Sequence, residues 1–249
     1  MKWEFTYRQL GEYFAFLKTQ GTISSFANMN KVWNPIVLRH DVDLSIVEAY
    51  NLAMVEVQNE VRSTFFVRVA SETYNVFSKQ SIELLRYMIV AGFEIGLHFD
   101  PSIYPDCPEG KIFDNLLWES LMLEEKLAIP IRAISLHNPS QLLSRPLLGK
   151  YFIDAYDPSI WTDKNYISDS CMDFRDKDPF ELVRIAPRPV QILLHPLHYS
   201  DYPESYIDKM GKYLYLQTVN IDADYRDNTT YIREIGNNRL VDIVLKGRE

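Results

Sequence analysis

Between residues 30 and 200 short β-rich runs alternate with amphipathic stretches, and no other feature of the chain constrains its fold as strongly. Strands that alternate with helical segments run parallel, and a parallel sheet needs helices over its faces. Seven runs read as strands: 36–40, 64–69, 93–98, 133–137, 152–156, 166–169 and 190–195. Between the first two, Val47, Tyr50, Met54 and Val57 share one helical face. A second helix is predicted over 81–91, with Ile82, Leu85 and Ile89 on one face and Gly92 as its stop. A third is predicted over 113–127, before Pro130. At 249 residues, with no low-complexity linker and no repeat, the chain reads as one domain over 1–249 with short N- and C-terminal helical extensions. Tyr13, Phe14 and Leu17 mark the first extension. Tyr206, Met210 and Tyr213 mark a helix over 202–214 in the second, and 240–245 is a further apolar run expected to help close the barrel.

Charge and cysteine usage narrow the function. Lys and Arg number 26 against 34 Asp and Glu, and a net charge of -8 without a basic cluster argues against a nucleic-acid partner. Glu4, Arg8, Glu12 and Lys18 interrupt the apolar residues of the first segment, so it reads as neither a signal peptide nor a membrane span, and a cytoplasmic location is expected. Cys107 and Cys171 lack a CxxC spacing, which excludes a thiolate zinc site and leaves two unpaired thiols as the expectation. Asn228-Thr229-Thr230 matches a glycosylation sequon that is expected to go unused in that location.

In parallel α/β folds catalytic groups collect at the C-terminal ends of the strands. Four strands here end in histidine-bearing runs: RHDVD (39–43), EIGLHFD (94–100), ISLHNPS (134–140) and ILLHPLHY (192–199). Asp41 and Asp43 are two apart, so in extended chain their carboxylates share a side, opposite His40 and Val42. Like charges that close require a cation beside them, or one must hold a proton. Asp43 could also cap a helix starting near Leu44. In the fourth strand Ala133, Ser135 and His137 fall on one side and Ile134 and Leu136 on the other, which points His137 into a cavity. A carboxylate and two imidazoles with open positions suit zinc or a similar divalent ion, and His195 would complete an acid-base pair with Asp41.

These motifs, in this order, resemble those of the polysaccharide deacetylases with the NodB homology domain, carbohydrate esterase family 4. The resemblance covers roughly 37–198 and rests on LRHDVD, STFFVR (63–68), GFEIGLH (92–98) and LLHPLHY. It implies a distorted (β/α)7 barrel and metal-dependent removal of acetyl groups from N-acetylated sugars. It further implies Asp41 as catalytic base, Asp43 and His98 as metal ligands, and His195 as catalytic acid. YISDS (166–170) resembles the segment whose aspartate supports the site, which implies that Asp169 orients His195. The chain departs from the family in two places. Val42 separates aspartates that are ordinarily adjacent, and Ser102 stands where a second histidine is ordinarily found. His137, on the strand that ordinarily carries an arginine-proline motif, is proposed to take the vacant ligand position, with Asp100 as its rival.

The expected cofactor is a divalent metal, zinc first, with cobalt, nickel, manganese or iron as alternatives. The expected partner is a carbohydrate, such as a nucleotide-linked or lipid-linked sugar, on whose ring Phe99, Tyr104, Trp161 or Tyr199 could stack. Two other readings compete: a metal-dependent hydrolase of another non-peptide amide, or of a phosphoester, on the same fold, and a non-catalytic carbohydrate-binding homologue.

Overall fold

The computed structural model describes residues 3–104, 109–138, 148 and 151–246, so Cys107 lies outside the described residues. Each predicted run forms a strand: β2 (Pro35–Val42), β3 (Thr64–Val67), β4 (Glu94–Phe99), β5 (Ala133–Leu136), β6 (Ile153–Asp154), β7 (Tyr166–Ser168) and β8 (Val190–Leu194). They pair in the order β6-β5-β4-β3-β2-β8-β7, every ladder parallel. No ladder among the described residues joins β6 to β7, so the sheet is a distorted (β/α)7 barrel with an open seam. A short strand that the periodicity does not reveal, β1 (Thr22–Ser24), pairs with the start of β2, on which β3 pairs further along.

Helices α1 (Tyr7–Gln20), α2 (Ile46–Gln58), α3 (Lys79–Val90), α4 (Glu109–Leu127) and α5 (Pro179–Ile185) accompany the sheet. Helix α1 starts at Thr6, whose side chain accepts from the Gln9 amide, and buries Leu10, Tyr13, Phe14 and Leu17. Helix α3 ends before Gly92, whose φ of 96° only glycine adopts without strain. The cap of α2 is Ser45, whose hydroxyl accepts from the Glu48 amide, so Asp43 does not cap the helix and its carboxylate is left for another use.

Strand β2 is buried on both faces, and the parity of its side chains decides the chemistry. His40 meets Glu56 of α2, whose other oxygen accepts from Ser63 at 2.7 Å, so a fully buried polar contact pins helix to sheet. On the opposite parity Arg39 and Asp41 enter the barrel, where Ser135 of β5 and Gln191 of β8 meet them. Phe66 of β3 lies beside the same guanidinium, 5.6 Å from ring centre to Cζ. A Cβ on Gly96 of β4 would stand 2.6 Å from the Phe66 ring and 2.8 Å from the Ala133 carbonyl oxygen, so only glycine leaves room for that ring.

The contacts divide the chain into two units, Met1–Pro203 and Glu204–Glu249. The second contains α6 (Tyr206–Asp224), α7 (Thr229–Ile235) and α8 (Leu240–Lys246). Helix α6 begins four residues later than the periodicity predicts, because Ser205 and Asp208 form a reciprocal capping box after Pro203, and it runs ten residues further. Asn228 of the sequon caps α7 by accepting from the Thr230 and Tyr231 amides. Tyr231 donates to Asp222 at 2.6 Å, which ties α7 to α6.

Candidate active site

The C-terminal ends of β2, β4, β5 and β8 bring five sequence-selected residues together: Asp41, Asp43, His98, His137 and His195. Asp43 Oδ1 lies 3.2 Å from His98 Nε2 and 3.4 Å from His137 Nδ1, and the two ring nitrogens are 3.1 Å apart. Ligands about 2.0–2.1 Å from a tetrahedral zinc ion stand about 3.3 Å from one another, so the three atoms match one face of such a site. His98 Nδ1 faces the Ser135 carbonyl oxygen at 3.3 Å and its hydroxyl at 3.1 Å, which favours the proton on Nδ1 and turns the Nε2 lone pair toward Asp43. Asp43 Oδ1 is buried without a well-formed hydrogen bond among the described residues. Converging lone pairs beside such an oxygen are the donor set a divalent cation requires, so the residues fit a metal ion. The backbone around Asp43 is fixed from below: Thr73 donates to the Asp43 carbonyl and Tyr74 to that of Val42, each at 2.8 Å. Without an ion, burial would raise the Asp43 carboxyl, and hydrogens that His137 and His98 turn to it when no cation engages their lone pairs, with the charge of His195, hold it well below the usual carboxylate range.

Asp41 lies deeper. Arg39 grips it with both arms, Nε to Oδ1 at 2.8 Å and Nη2 to Oδ2 at 2.7 Å, and neither side chain is more than 5% exposed. The same guanidinium donates to Gln191 Oε1 at 3.1 Å, to the Tyr156 hydroxyl at 2.9 Å and to Ser135 Oγ. Burial pushes the Asp41 carboxyl up, and Arg39, His98 and His195 outweigh it, so the group is ionised below its ordinary value. Arg39 is thus the cation beside Asp41, whereas Asp43 faces the imidazoles of His98 and His137. Sequence parity could have found Arg39, since it precedes Asp41 by two residues on the same strand.

His195 Nδ1 stands 2.6 Å from Asp169 Oδ1, and its backbone amide donates to the same carboxylate at 3.0 and 3.1 Å. Its Nε2 points toward the triangle, 3.8 Å from Asp43 Oδ2. Burial would lower the imidazole, but Asp169, then Asp43 and Asp41, raise it to about 9. His198, which the sequence reading leaves without a role, lies on the other side of Asp169 with Nδ1 3.2 Å from Oδ2.

The rival ligand Asp100 is engaged elsewhere: it ion-pairs with Arg68 at 2.5 Å and accepts from the Ser102 hydroxyl at 2.6 Å and amide at 3.0 Å. Two of the four aromatic residues expected to meet a sugar cannot do so. Phe99 is fully buried behind Tyr104, and Tyr199 is buried against Phe5, whereas Trp161 and Tyr104 keep partial exposure. Cys171 is a free, exposed thiol, and no helix among the described residues is long and apolar enough to cross a membrane.

No protein-family model matches the chain, and no curated protein matches it. Among solved structures it is similar to carbohydrate esterase family 4 (CE4) proteins. A CE4 family pseudoenzyme from Bacillus anthracis is 14% identical, with a TM-score of 0.44 over 74% of this chain and 64% of that one. The chitin deacetylase from the fungal pathogen Colletotrichum lindemuthianum is 16% identical, with a TM-score of 0.45 over 73% of this chain and 81% of that one. A polysaccharide deacetylase from Bacillus cereus is 17% identical, with a TM-score of 0.46 over 73% of this chain and 87% of that one. The chain thus spans less than two thirds of the Bacillus anthracis protein's length.

Proposed function

We propose that the chain is a divalent-metal-dependent hydrolase that releases acetate from an N-acetylated sugar or sugar-containing precursor, with Asp43, His98 and His137 holding zinc. The observation that carries this reading is a three-atom donor triangle with edges of 3.1, 3.2 and 3.4 Å, next to a candidate base and a candidate acid. Asp41 Oδ2 is 3.7 Å from His98 Nε2, and His195 Nε2 is 3.8 Å from Asp43 Oδ2. The motif resemblance supports the same reading. When bound, the ion supplies Lewis-acid polarisation of the acyl oxygen and charge for the developing oxyanion.

The chain's own residues divide the proton work. Asp41, kept ionised by Arg39, accepts the proton of the attacking water at its carboxylate. His195, kept protonated by Asp169, donates from Nε2 to the departing amine nitrogen. A base held low and an acid held high coexist at neutral pH, the condition for a two-group hydrolysis. Of the four aromatic residues singled out near the strand ends, Trp161 and Tyr104 keep the partial exposure that stacking on a sugar ring requires. All six site residues lie in the Met1–Pro203 unit, and we read 204–249 as a helical extension of one catalytic domain.

The test is acetate release from N-acetylglucosamine oligomers by chelator-treated protein with and without added zinc. Release that depends on zinc is expected. Binding of the oligomers without release would favour the non-catalytic reading, and release of another product from another amide would favour the broader hydrolase.

A further inference from the structure

His198 takes no part in the proton transfers above, yet it is 5% exposed and shares a carboxylate with the candidate acid. Its place follows from the sequence HPLH. Pro196 starts a 3-10 turn, Pro196–His198, in which the His198 amide donates to the His195 carbonyl at 3.0 Å. Side chains three apart in such a turn eclipse one another, so both imidazoles face the same way, their ring centres 5.1 Å apart. Between them stands Asp169, fully buried, with Oδ1 turned to His195 Nδ1 and Oδ2 to His198 Nδ1. His198 Nδ1 stands 3.2 Å from Asp169 Oδ2 without a well-formed hydrogen bond among the described residues, so the contact is electrostatic, and a hydrogen on Nδ1 makes it attractive to the carboxylate. Phe5 meets the ring edge to face, 6.0 Å between centres, and closes that side.

We propose that His198 is a positioning residue that locks the Asp169 carboxylate, and through it the His195 ring, in the orientation needed for proton donation. The assignment of His195 as acid rests on the deacetylase reading; the lock itself is a matter of geometry. Asp169, His195 and His198 also qualify by proximity as a metal-ligand group. The 2.6 Å contact between Asp169 Oδ1 and His195 Nδ1 is a hydrogen-bond distance, shorter than the spacing of about 3.3 Å between ligands of a tetrahedral ion. With the His195 amide also donating to the carboxylate, hydrogen bonding accounts for the Asp169–His195 pair, beside which His198 stands.

The experiment compares zinc-loaded wild type with His198→Phe and His198→Leu, which remove the donor, and with His198→Asn, whose amide nitrogen falls near the position of Nδ1. One readout is the low-field proton resonance of His195 Nδ1–H bonded to Asp169, expected in wild type and His198→Asn and lost or broadened in the other two. A second is acetate release, with kcat expected to fall at least about 10-fold in the donorless variants, KM unchanged, and kcat restored in His198→Asn. Retention of the resonance in both donorless variants overturns the proposal, as does a second zinc equivalent in wild type that they lose. A wild type that shows the resonance but releases no acetate refutes the functional reading, and the resonance comparison still decides the role of His198.

Discussion

Replacing Arg39 by Met tests the polar interior of the barrel. The substitution keeps an unbranched apolar stem and deletes a guanidinium that makes two charge-assisted bonds to Asp41, at 2.8 and 2.7 Å, and further bonds to Gln191, Ser135 and Tyr156. Removing one partner of a buried ion pair leaves the other as an uncompensated charge, a loss of about 3–5 kcal/mol. The Asp41 carboxyl then escapes by taking a proton, because burial raises it and its main opponent is gone. Arg39→Met should therefore unfold at lower urea concentration by an amount equal to about 3–5 kcal/mol, with an unchanged m-value. Adding Asp41→Asn should recover about 2 kcal/mol, since the two side chains act as a unit. In the single variant the acid limb of activity should move to higher pH, as a base with a raised pKa protonates sooner on acidification. A loss below about 1 kcal/mol, or a double variant no more stable than the single, would refute the claim that Arg39 serves chiefly to hold Asp41 ionised.

Asp41→Asn alone should keep the metal and lower turnover by about 10²-fold or more, read as metal per chain and kcat on the same preparation. Asp169→Asn should move the alkaline limb of kcat to lower pH, because Asp169 is the main group raising His195. An unmoved limb would mean that another group is the acid. In metal-free protein His195 has its raised value near 9, so its contribution to stability is complete below about 6.5 and lost as pH rises through 9. Urea midpoints of metal-free wild type should fall over that window, and those of metal-free His195→Gln should fall less.

The strands and the first four helices of the barrel were legible because a parallel sheet buried on both faces writes continuous apolar runs, and its helices write a 3.6-residue period. Strand β1 was missed because three residues, Thr22, Ile23 and Ser24, are too few for a period. At the site, same-side parity correctly pairs Asp41 with Asp43 and turns Ser135 and His137 inward. The stacking role of Phe99 and Tyr199 failed because a strand-end aromatic can point to the helical layer as readily as to the cavity, and nearby sequence does not tell which. His198 was missed for a related reason: a strand parity applies only while the chain is extended, and Pro196 changes the period from two to three. Ser102, read as a vacant ligand position, donates to Asp100 Oδ1, while Asp100 Oδ2 takes Arg68 in a long-range ion pair that no local pattern carries.

The most direct test of the account is the zinc content of reconstituted protein, measured by plasma mass spectrometry on wild type, His137→Ala and Asp100→Ala. One equivalent per chain is predicted in wild type and Asp100→Ala, and none in His137→Ala. A full equivalent in His137→Ala together with loss in Asp100→Ala would contradict the Asp43, His98 and His137 centre.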